Sequence, residues 1–137
     1  MCRPIPVVDE MLAAWNTHDV DQVLRFYAPD YEGHDVGEPD AQRGLPDVRA
    51  SVDHYLRAFP DLCVTCEETI VEGDRVVVRW RAHGSHRGML MRIPPTGRAI
   101  TVRGMSLLTM RGDKLQRGVH VWDVAGLLRG VGLLPDL

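Results

Sequence analysis

The chain has 137 residues, of which 45% are hydrophobic and 26% are charged, and its formal net charge is −3. This length fits one domain, spanning residues 1–137, with a core of its own. Acidic and basic residues are interspersed, so no basic stripe of the kind that binds nucleic acid or an anionic membrane is present. We therefore expect a single globular domain with no nucleic-acid and no membrane partner.

The cysteines are Cys2, Cys63 and Cys66, an odd number without a signal peptide. This predicts reduced thiols and a cytoplasmic location. Cys63 and Cys66 spell C-x-x-C, but they lie in a stretch rich in Val, Thr and Ile, which indicates a strand, whereas the redox motif opens a helix. We interpret them as ordinary strand cysteines and not as a redox or zinc site.

Three helices are predicted ahead of the long strands. Apolar residues at three- and four-residue spacing predict the first helix from Pro6 to Asn16. Asp19 is positioned to cap a second helix, which Pro29 ends. A short strand is predicted from Tyr31 to Val36, and a third helix follows between Pro46 and Pro60.

From Leu62 onward the period of the apolar residues changes from 3.6 to two, which is typical of strands. Glycine-aspartate turns separate the predicted strands into hairpins. The strands are Leu62 to Glu72, Arg75 to His86, Ile100 to Met110 and Lys114 to Val124. An apolar tail from Ala125 to Leu134 resembles a helix. Helices segregated from an antiparallel meander predict an α+β domain.

The last strand ends in a carboxylate among apolar residues. Strict alternation places Val119, Val121 and Asp123 on one face and His120 with Trp122 on the other. Asp123 would then face the interior, although the other interpretation is that it caps the helix that follows. His120 points away from Asp123 unless a β-bulge re-aims it.

Two histidines are further candidates for a polar site. His86 ends the apolar face of the strand from Arg75, and His34 stands at the mouth of the loop after the short strand. If the first and third helices cover the apolar face of the sheet, Asp123 and His86 line the open end of a cone-like pocket. Each histidine alone is more typical of a surface or hydrogen-bonded core position.

Large apolar side chains supply the candidate ligand contacts, and core packing is the default interpretation for the aromatic residues and the methionine among them. These candidates are Trp15, Tyr55, Phe59, Trp80, Met105, Val119 and Val121.

A set of short strings runs through nearly the whole chain. They are Trp15-Asn16 followed by His18-Asp19, Gly73-Asp74-Arg75-Val76, Gly84-Ser85-His86-Arg87-Gly88, Ile93-Pro94-Pro95-Thr96-Gly97-Arg98 and Val121-Trp122-Asp123-Val124. Together they resemble the SnoaL-like polyketide cyclases, also called ester cyclases.

The resemblance implies a cone-shaped nuclear transport factor two-like (cystatin-like) fold, with N-terminal helices packed on a curved antiparallel sheet. It also implies an intramolecular aldol cyclisation of a hydrophobic polycarbonyl molecule, such as an aromatic polyketide, in antibiotic biosynthesis or other secondary metabolism. Asp123 would be the general acid/base, with His34 and His86 as partners. Neither a metal nor an organic cofactor is implied, and a homo-oligomer, a dimer or tetramer, is expected.

One segment departs from the family pattern. The family commonly has an acid-His-Trp triplet where this chain has Arg117-Gly118-Val119. Two other functions therefore stay open: another reaction in the same pocket, such as assistance to hydroxylation, isomerisation or hydrolysis, and a non-catalytic binding or dimerisation role. The cyclase hypothesis predicts that Asp123→Asn removes turnover and leaves the fold intact.

Overall fold

The computed structural model describes residues 6–136 and shows an α+β architecture, which confirms the predicted class. The elements are α1 (Pro6–Asn16), α2 (Val20–Leu24), β1 (Tyr27–Asp35), β2 (Gln42–Arg43), α3 (Gly44–Ala58), β3 (Cys63–Glu72), β4 (Arg75–Ser85), β5 (Ala99–Arg111), β6 (Lys114–Trp122) and α4 (Val124–Gly130).

The second helix is shorter than predicted. Asp19 caps it by accepting a hydrogen bond from the Asp21 amide at 3.0 Å, but the chain enters β1 at Tyr27 and Pro29 lies inside that strand. The ladder between β1 and β6 shifts between Tyr27 and Glu32. Pro29 falls within this shift, so its missing N–H removes no ladder hydrogen bond.

The sheet has six strands in the order β2-β1-β6-β5-β4-β3. The predicted antiparallel meander is confirmed for β3 to β6. The parallel pairing of β1 with β6 was not predicted. Apolar residues of α1 and α3 pack with one face of the curved sheet to form the core. Its buried members include Val8, Met11, Val48, Val52, Val76, Val78, Leu108 and Leu115.

A β-bulge interrupts the pairing of β5 with β6. Thr109 pairs with Arg117, and the next residue on β5, Met110, pairs with Leu115. Gln116 is thus an extra residue without a partner on the opposite strand. Such an extra residue reverses the facing of every side chain that follows it.

This reversal makes the predicted facing of the last strand wrong. His120 and Trp122 point toward the helices, while Val119, Val121 and Asp123 lie on the outer face. Strict alternation had assumed an uninterrupted ladder. His120 was given a low rank as a site residue unless a bulge re-aimed it; the bulge turns it toward the cavity, and Asp123 still lies on the opposite face.

The free edge of β3 is covered by the end of α1. The side-chain amide of Asn16 donates to the Val64 carbonyl at 3.0 Å and its oxygen accepts from the Val64 amide at 2.7 Å. These two bonds imitate one step of a strand ladder, which protects an edge that otherwise offers unpaired backbone groups.

The expectation of reduced thiols is wrong for Cys66, which is disulfide-bonded. Cys63 is free, so the two do not form a C-x-x-C disulfide. Cys2 lies outside the described residues. Among residues 6–136, no helix is long and apolar enough to cross a membrane.

Candidate active site

A cavity of about 200 Å³ lies between helices α1 and α3 and the concave face of the sheet. Its wall is mostly apolar, as in most sites for small molecules. Trp15, Tyr55, Phe59 and Trp80 all line it. These four candidate contacts therefore stand where a bound molecule would meet them, and their part in binding stays a prediction.

The other three candidate contacts do not reach the cavity. Met105 is 52% exposed, Val119 39% and Val121 54%, all on the outer face of the sheet. Met105 pairs with Val121 across the ladder, and paired residues share a face. The bulge at Gln116 turned this part of β6 outward, so the predicted placement of Val119 and Val121 is wrong for the same reason as that of Asp123.

Asp123 is exposed and caps α4. Its Oδ1 accepts a hydrogen bond from the Gly126 amide at 2.8 Å, and it is not among the residues that line the cavity. The capping interpretation is the one that the structure shows. His34 also points outward, with a side chain 53% exposed and its Nε2 3.9 Å from Glu32 Oε1.

His86 is completely buried, yet it does not line the cavity. Its Nδ1 accepts a hydrogen bond from the Thr96 amide at 3.3 Å and lies 3.0 Å from the Thr96 hydroxyl oxygen. Its ring lies beside Phe59. These contacts fix the loop after β4. The three predicted acid/base candidates are thus not brought together.

Asp35 is the carboxylate that the cavity does contain. Its Oδ1 accepts two hydrogen bonds at 2.7 Å each, from Trp122 Nε1–H and from the Gly37 amide. Among the described residues, no hydrogen bond reaches Oδ2. Sequence reasoning missed Asp35, although alternation from Tyr31 in the predicted short strand would have placed the two on one face.

A chain of polar side chains crosses the sheet side of the cavity. His120 Nδ1 lies 2.7 Å from Ser106 Oγ, and His120 Nε2 lies 3.3 Å from the Tyr31 hydroxyl. Trp80 Nε1–H donates to Ser106 Oγ at 2.9 Å. Burial lowers the pKa of His120, against a smaller opposing effect of the Asp35 charge. The imidazole is therefore held in its neutral form.

A second polar group lies on the helix side. Ser51 Oγ donates to Glu38 Oε1 at 2.7 Å, and Gln42 Nε2 donates to both Ser51 Oγ and Glu38 Oε2. Desolvation raises the pKa of Glu38, and the charge of Asp35 acts in the same direction. The buried hydroxyl of Tyr55 has no hydrogen-bond partner among the described residues.

Comparison with known families matches residues 6–131 to the SnoaL-like polyketide cyclases. The chain belongs to this family. No curated protein has significant sequence similarity to it.

Solved structures of similar proteins share the fold of this chain. AclR, a candidate hydroxylase from Streptomyces galilaeus, is 28% identical, with a TM-score of 0.84 over 96% of this chain and 85% of AclR. IdmH, a candidate polyketide cyclase from Streptomyces antibioticus, is 22% identical, with a TM-score of 0.77 over 92% and 96%. A protein from Catenulispora acidiphila with a ketosteroid isomerase-like fold is 17% identical, with a TM-score of 0.83 over 96% of each chain. The cone-shaped nuclear transport factor two-like fold is thereby confirmed.

The departure of this SnoaL-like chain at Arg117-Gly118-Val119 has a structural counterpart. A Cβ atom added to Gly118 would collide with the Tyr31 hydroxyl and lie 2.8 Å from His120 Nε2. The space of the missing side chain is occupied by the Tyr31–His120 pair. Among residues 6–136, no group of three or more His, Cys, Asp or Glu side chains is arranged to hold a metal ion.

Proposed function

We propose that this SnoaL-like protein is an enzyme that binds a hydrophobic polycarbonyl molecule, such as an aromatic polyketide, and cyclises it with Asp35 as the general acid/base. The observation that carries the proposal is the Asp35 carboxylate in a mostly apolar wall, oriented through Oδ1 and with no hydrogen bond to Oδ2 among the described residues. This is the arrangement that a positioned base requires. The Asp123 of the sequence-based hypothesis is replaced by a carboxylate inside the cavity.

The proposed reaction is an intramolecular aldol closure. Asp35 Oδ2 removes a proton from a methylene between two carbonyl groups, and the resulting enolate carbon forms a bond with a second carbonyl carbon. That carbonyl becomes an alkoxide, which takes the proton back from Asp35. No electrons are gained or lost overall, and holding a flexible chain in the reactive conformation lowers the barrier further.

The shape of the cavity supports a flat, apolar substrate. Aromatic side chains of α1, α3, β1, β4 and β6 and of the residue after α3 contribute to its wall, and such rings bind flat unsaturated molecules through offset or edge contacts. The ring-bearing residues of the wall, besides His120, are Trp15, Tyr27, Tyr55, Phe59, Trp80 and Trp122.

The proposal is tested with ethyl benzoylacetate, an aromatic β-ketoester whose methylene protons exchange with deuterium in heavy water. We expect the protein to accelerate this exchange, measured by proton NMR, and Asp35→Asn to reduce the acceleration by at least about 100-fold. Asp123→Asn is the matched control and should retain it. Equal acceleration by wild type and Asp35→Asn would contradict the assigned base.

A second candidate is a part in the hydroxylation of the same kind of molecule. The 28% identity to AclR favours it. Mass spectrometry of the product formed from a polycarbonyl precursor separates the two functions, because cyclisation adds no atoms and hydroxylation adds one oxygen. Neighbouring genes of a polyketide pathway would support either function over a binding role without catalysis.

We also propose that two copies associate through the outer face of the sheet. Val119, Leu107, Val77 and Ile70 form one row across β6, β5, β4 and β3, since each is the ladder partner of the next. Met105 and Val121 extend it as a neighbouring pair. Arg79, Arg103, Glu67 and Glu68 form ion pairs beside this row. An exposed apolar row with a charged margin of both signs suits a second copy of itself.

The cytoplasmic location remains a proposal. It rested on reduced thiols, and the disulfide of Cys66 weakens that argument because such bonds are rare in the cytoplasm. Fractionation of the native organism followed by immunodetection tests it.

A further inference from the structure

We infer that the Ser106 hydroxyl donates a hydrogen bond to a carbonyl oxygen of the bound molecule, and that His120 and Tyr31 position its proton for this purpose. The inference deepens the proposed function and rests on it for the nature of the ligand. It adds a neutral donor on the sheet side of a cavity that also contains the Asp35 carboxylate, a pure acceptor.

Ser106 Oγ has two partners within the protein. The first is Trp80 Nε1–H, at 2.9 Å, and an indole nitrogen is always a donor. The second is His120 Nδ1, at 2.7 Å, which is a donor or an acceptor according to the tautomer of the ring. The direction of this second bond therefore decides whether Ser106 donates its proton to His120 or can donate it to a ligand.

Tyr31 determines the tautomer of His120. The tyrosine is 1% exposed, and its hydroxyl contacts His120 Nε2 at 3.3 Å with no other hydrogen-bond partner among the described residues. If Nε2 carried the proton, the phenol would have to accept, and its own proton would be buried without an acceptor, which is costly. Tyr31 therefore donates to Nε2, and in the neutral ring the proton resides on Nδ1.

With its proton on Nδ1, His120 donates to Ser106 Oγ. The serine oxygen then accepts two N–H groups, one from Trp80 and one from His120, and its own proton has no acceptor within this network. Ser106 is 6% exposed and lines the cavity. A molecule in the cavity is the acceptor that remains for this proton.

This arrangement selects the chemistry of the ligand. An oxygen facing Ser106 must accept a hydrogen bond, so a ketone, quinone or ester carbonyl fits, and a primary ammonium group does not. Burial lowers the pKa of His120 and keeps its ring neutral, which preserves the donor arrangement across the neutral pH range. In the proposed cyclisation the same hydroxyl would stabilise the negative charge that develops on the enolate oxygen.

The tautomer is tested in the free protein, without any ligand. Protein labelled with nitrogen-15 at histidine is examined by long-range proton–nitrogen NMR, with His120 assigned through His120→Gln. We expect protonation at Nδ1 in the wild type and a shift toward the Nε2-protonated form in Tyr31→Phe. An Nε2-protonated ring in the wild type would overturn the inference whatever the protein binds.

The donor itself is tested with 9-fluorenone, an aromatic ketone, by difference infrared spectroscopy of its carbonyl stretch. We expect a downshifted stretch in the wild type that returns to higher frequency in Ser106→Ala and in Tyr31→Phe, with the ketone still bound. The control is Ser85→Ala, because the Ser85 hydroxyl is bonded to Asp61 outside the cavity. Fluorescence competition measures occupancy independently.

The two possible failures are distinguishable. A bound ketone with the same stretch in the wild type and in Ser106→Ala overturns the role of Ser106 and leaves the proposed function standing. A wild-type protein that binds no aromatic ketone contradicts the proposed function and removes the ligand on which the inference rests.

Discussion

Gly118 shows how a missing side chain arranges a site at the scale of one residue. The Tyr31 hydroxyl and the His120 ring meet in the space that a side chain at position 118 would occupy. Both groups belong to the network that orients Ser106. The departure from the common family triplet is thus linked to the polar groups of this cavity.

Gly118→Ala is expected to lower the free energy of unfolding by roughly 1–3 kcal/mol, because a methyl group forced into a filled core displaces its neighbours. It should also broaden or shift the histidine NMR signals of His120. Urea unfolding measures the first effect. Glu72→Ala, at an exposed position at the end of β3 and outside the apolar row, is the control, with a change within about 0.5 kcal/mol. An unchanged stability of Gly118→Ala would show that the Tyr31–His120 pair has room to move.

The buried imidazole of His120 makes stability depend on pH. Burial lowers its pKa below the ordinary value of 6.5, so the unfolded chain binds a proton that the folded chain does not. The contribution of neutral His120 is fully present above about pH 6.5 and is lost as the pH falls from there toward the lowered pKa.

We therefore expect the free energy of unfolding to fall between about pH 7 and about pH 5, and less steeply in His120→Gln. His34→Gln, at an exposed histidine, should follow the wild type. Urea titrations across this range measure the slopes. Parallel wild-type and His120→Gln curves would mean that His120 is protonated as readily in the folded chain as in the unfolded one.

At the scale of elements, the bulge in β6 decides the position of the carboxylates. Strict alternation had placed Asp123 on the inner face of the sheet, whereas the structure has Asp35 in the cavity and Asp123 at the start of α4. The bulge turns Asp123 outward to the start of α4, where its Oδ1 caps the helix. It turns Trp122 inward, where the indole N–H holds Asp35. One unpaired residue, Gln116, therefore decides which carboxylate faces the cavity.

Substitutions at Asp123 separate a cap from a catalytic base. Asp123→Ala should cost about 1 kcal/mol of stability, because it leaves a helix N-terminus uncapped, whereas asparagine caps nearly as well as aspartate. Both variants should keep the rate of deuterium exchange in ethyl benzoylacetate. Thermal unfolding and the NMR assay measure the two properties. Loss of exchange in a folded Asp123→Asn protein would restore the sequence-based hypothesis.

At the scale of the whole molecule, the two faces of the sheet serve different purposes. The concave face contributes Ser106, His120 and Trp122 to the cavity, and the outer face carries the apolar row that we propose as a dimer contact. Because side chains alternate along each strand, neighbouring residues contribute to the two surfaces. The cavity and the proposed contact can therefore be altered independently.

Sedimentation velocity tests the proposed dimer. We expect wild type to sediment as a dimer at micromolar concentration and Val121→Glu to sediment as a monomer, because a buried unpaired charge at the contact is strongly unfavourable. Asp113→Lys, in the turn between β5 and β6, is the control for a change of charge outside the row. A monomeric wild type would contradict the proposal.

The sequence by itself determined the elements and their order. Apolar periods of 3.6 and two, proline and glycine-aspartate turns are local signals, and they placed α1, α3 and the four-stranded meander close to their observed bounds. They also identified four of the aromatic residues that line the cavity. The resemblance of short strings along the chain to the SnoaL-like cyclases predicted the nuclear transport factor two-like fold.

Only the tertiary structure decided the site. The bulge at Gln116 lies where the ladders of β6 with β5 and with β1 both shift register, and such registers depend on residues far apart in the chain. It reversed the facing of Val119 to Asp123. Asp35 lines the cavity at the end of β1, which pairs in parallel with β6. This pairing brings the Trp122 indole N–H, 87 residues away in sequence, within hydrogen-bond distance of the Asp35 carboxylate.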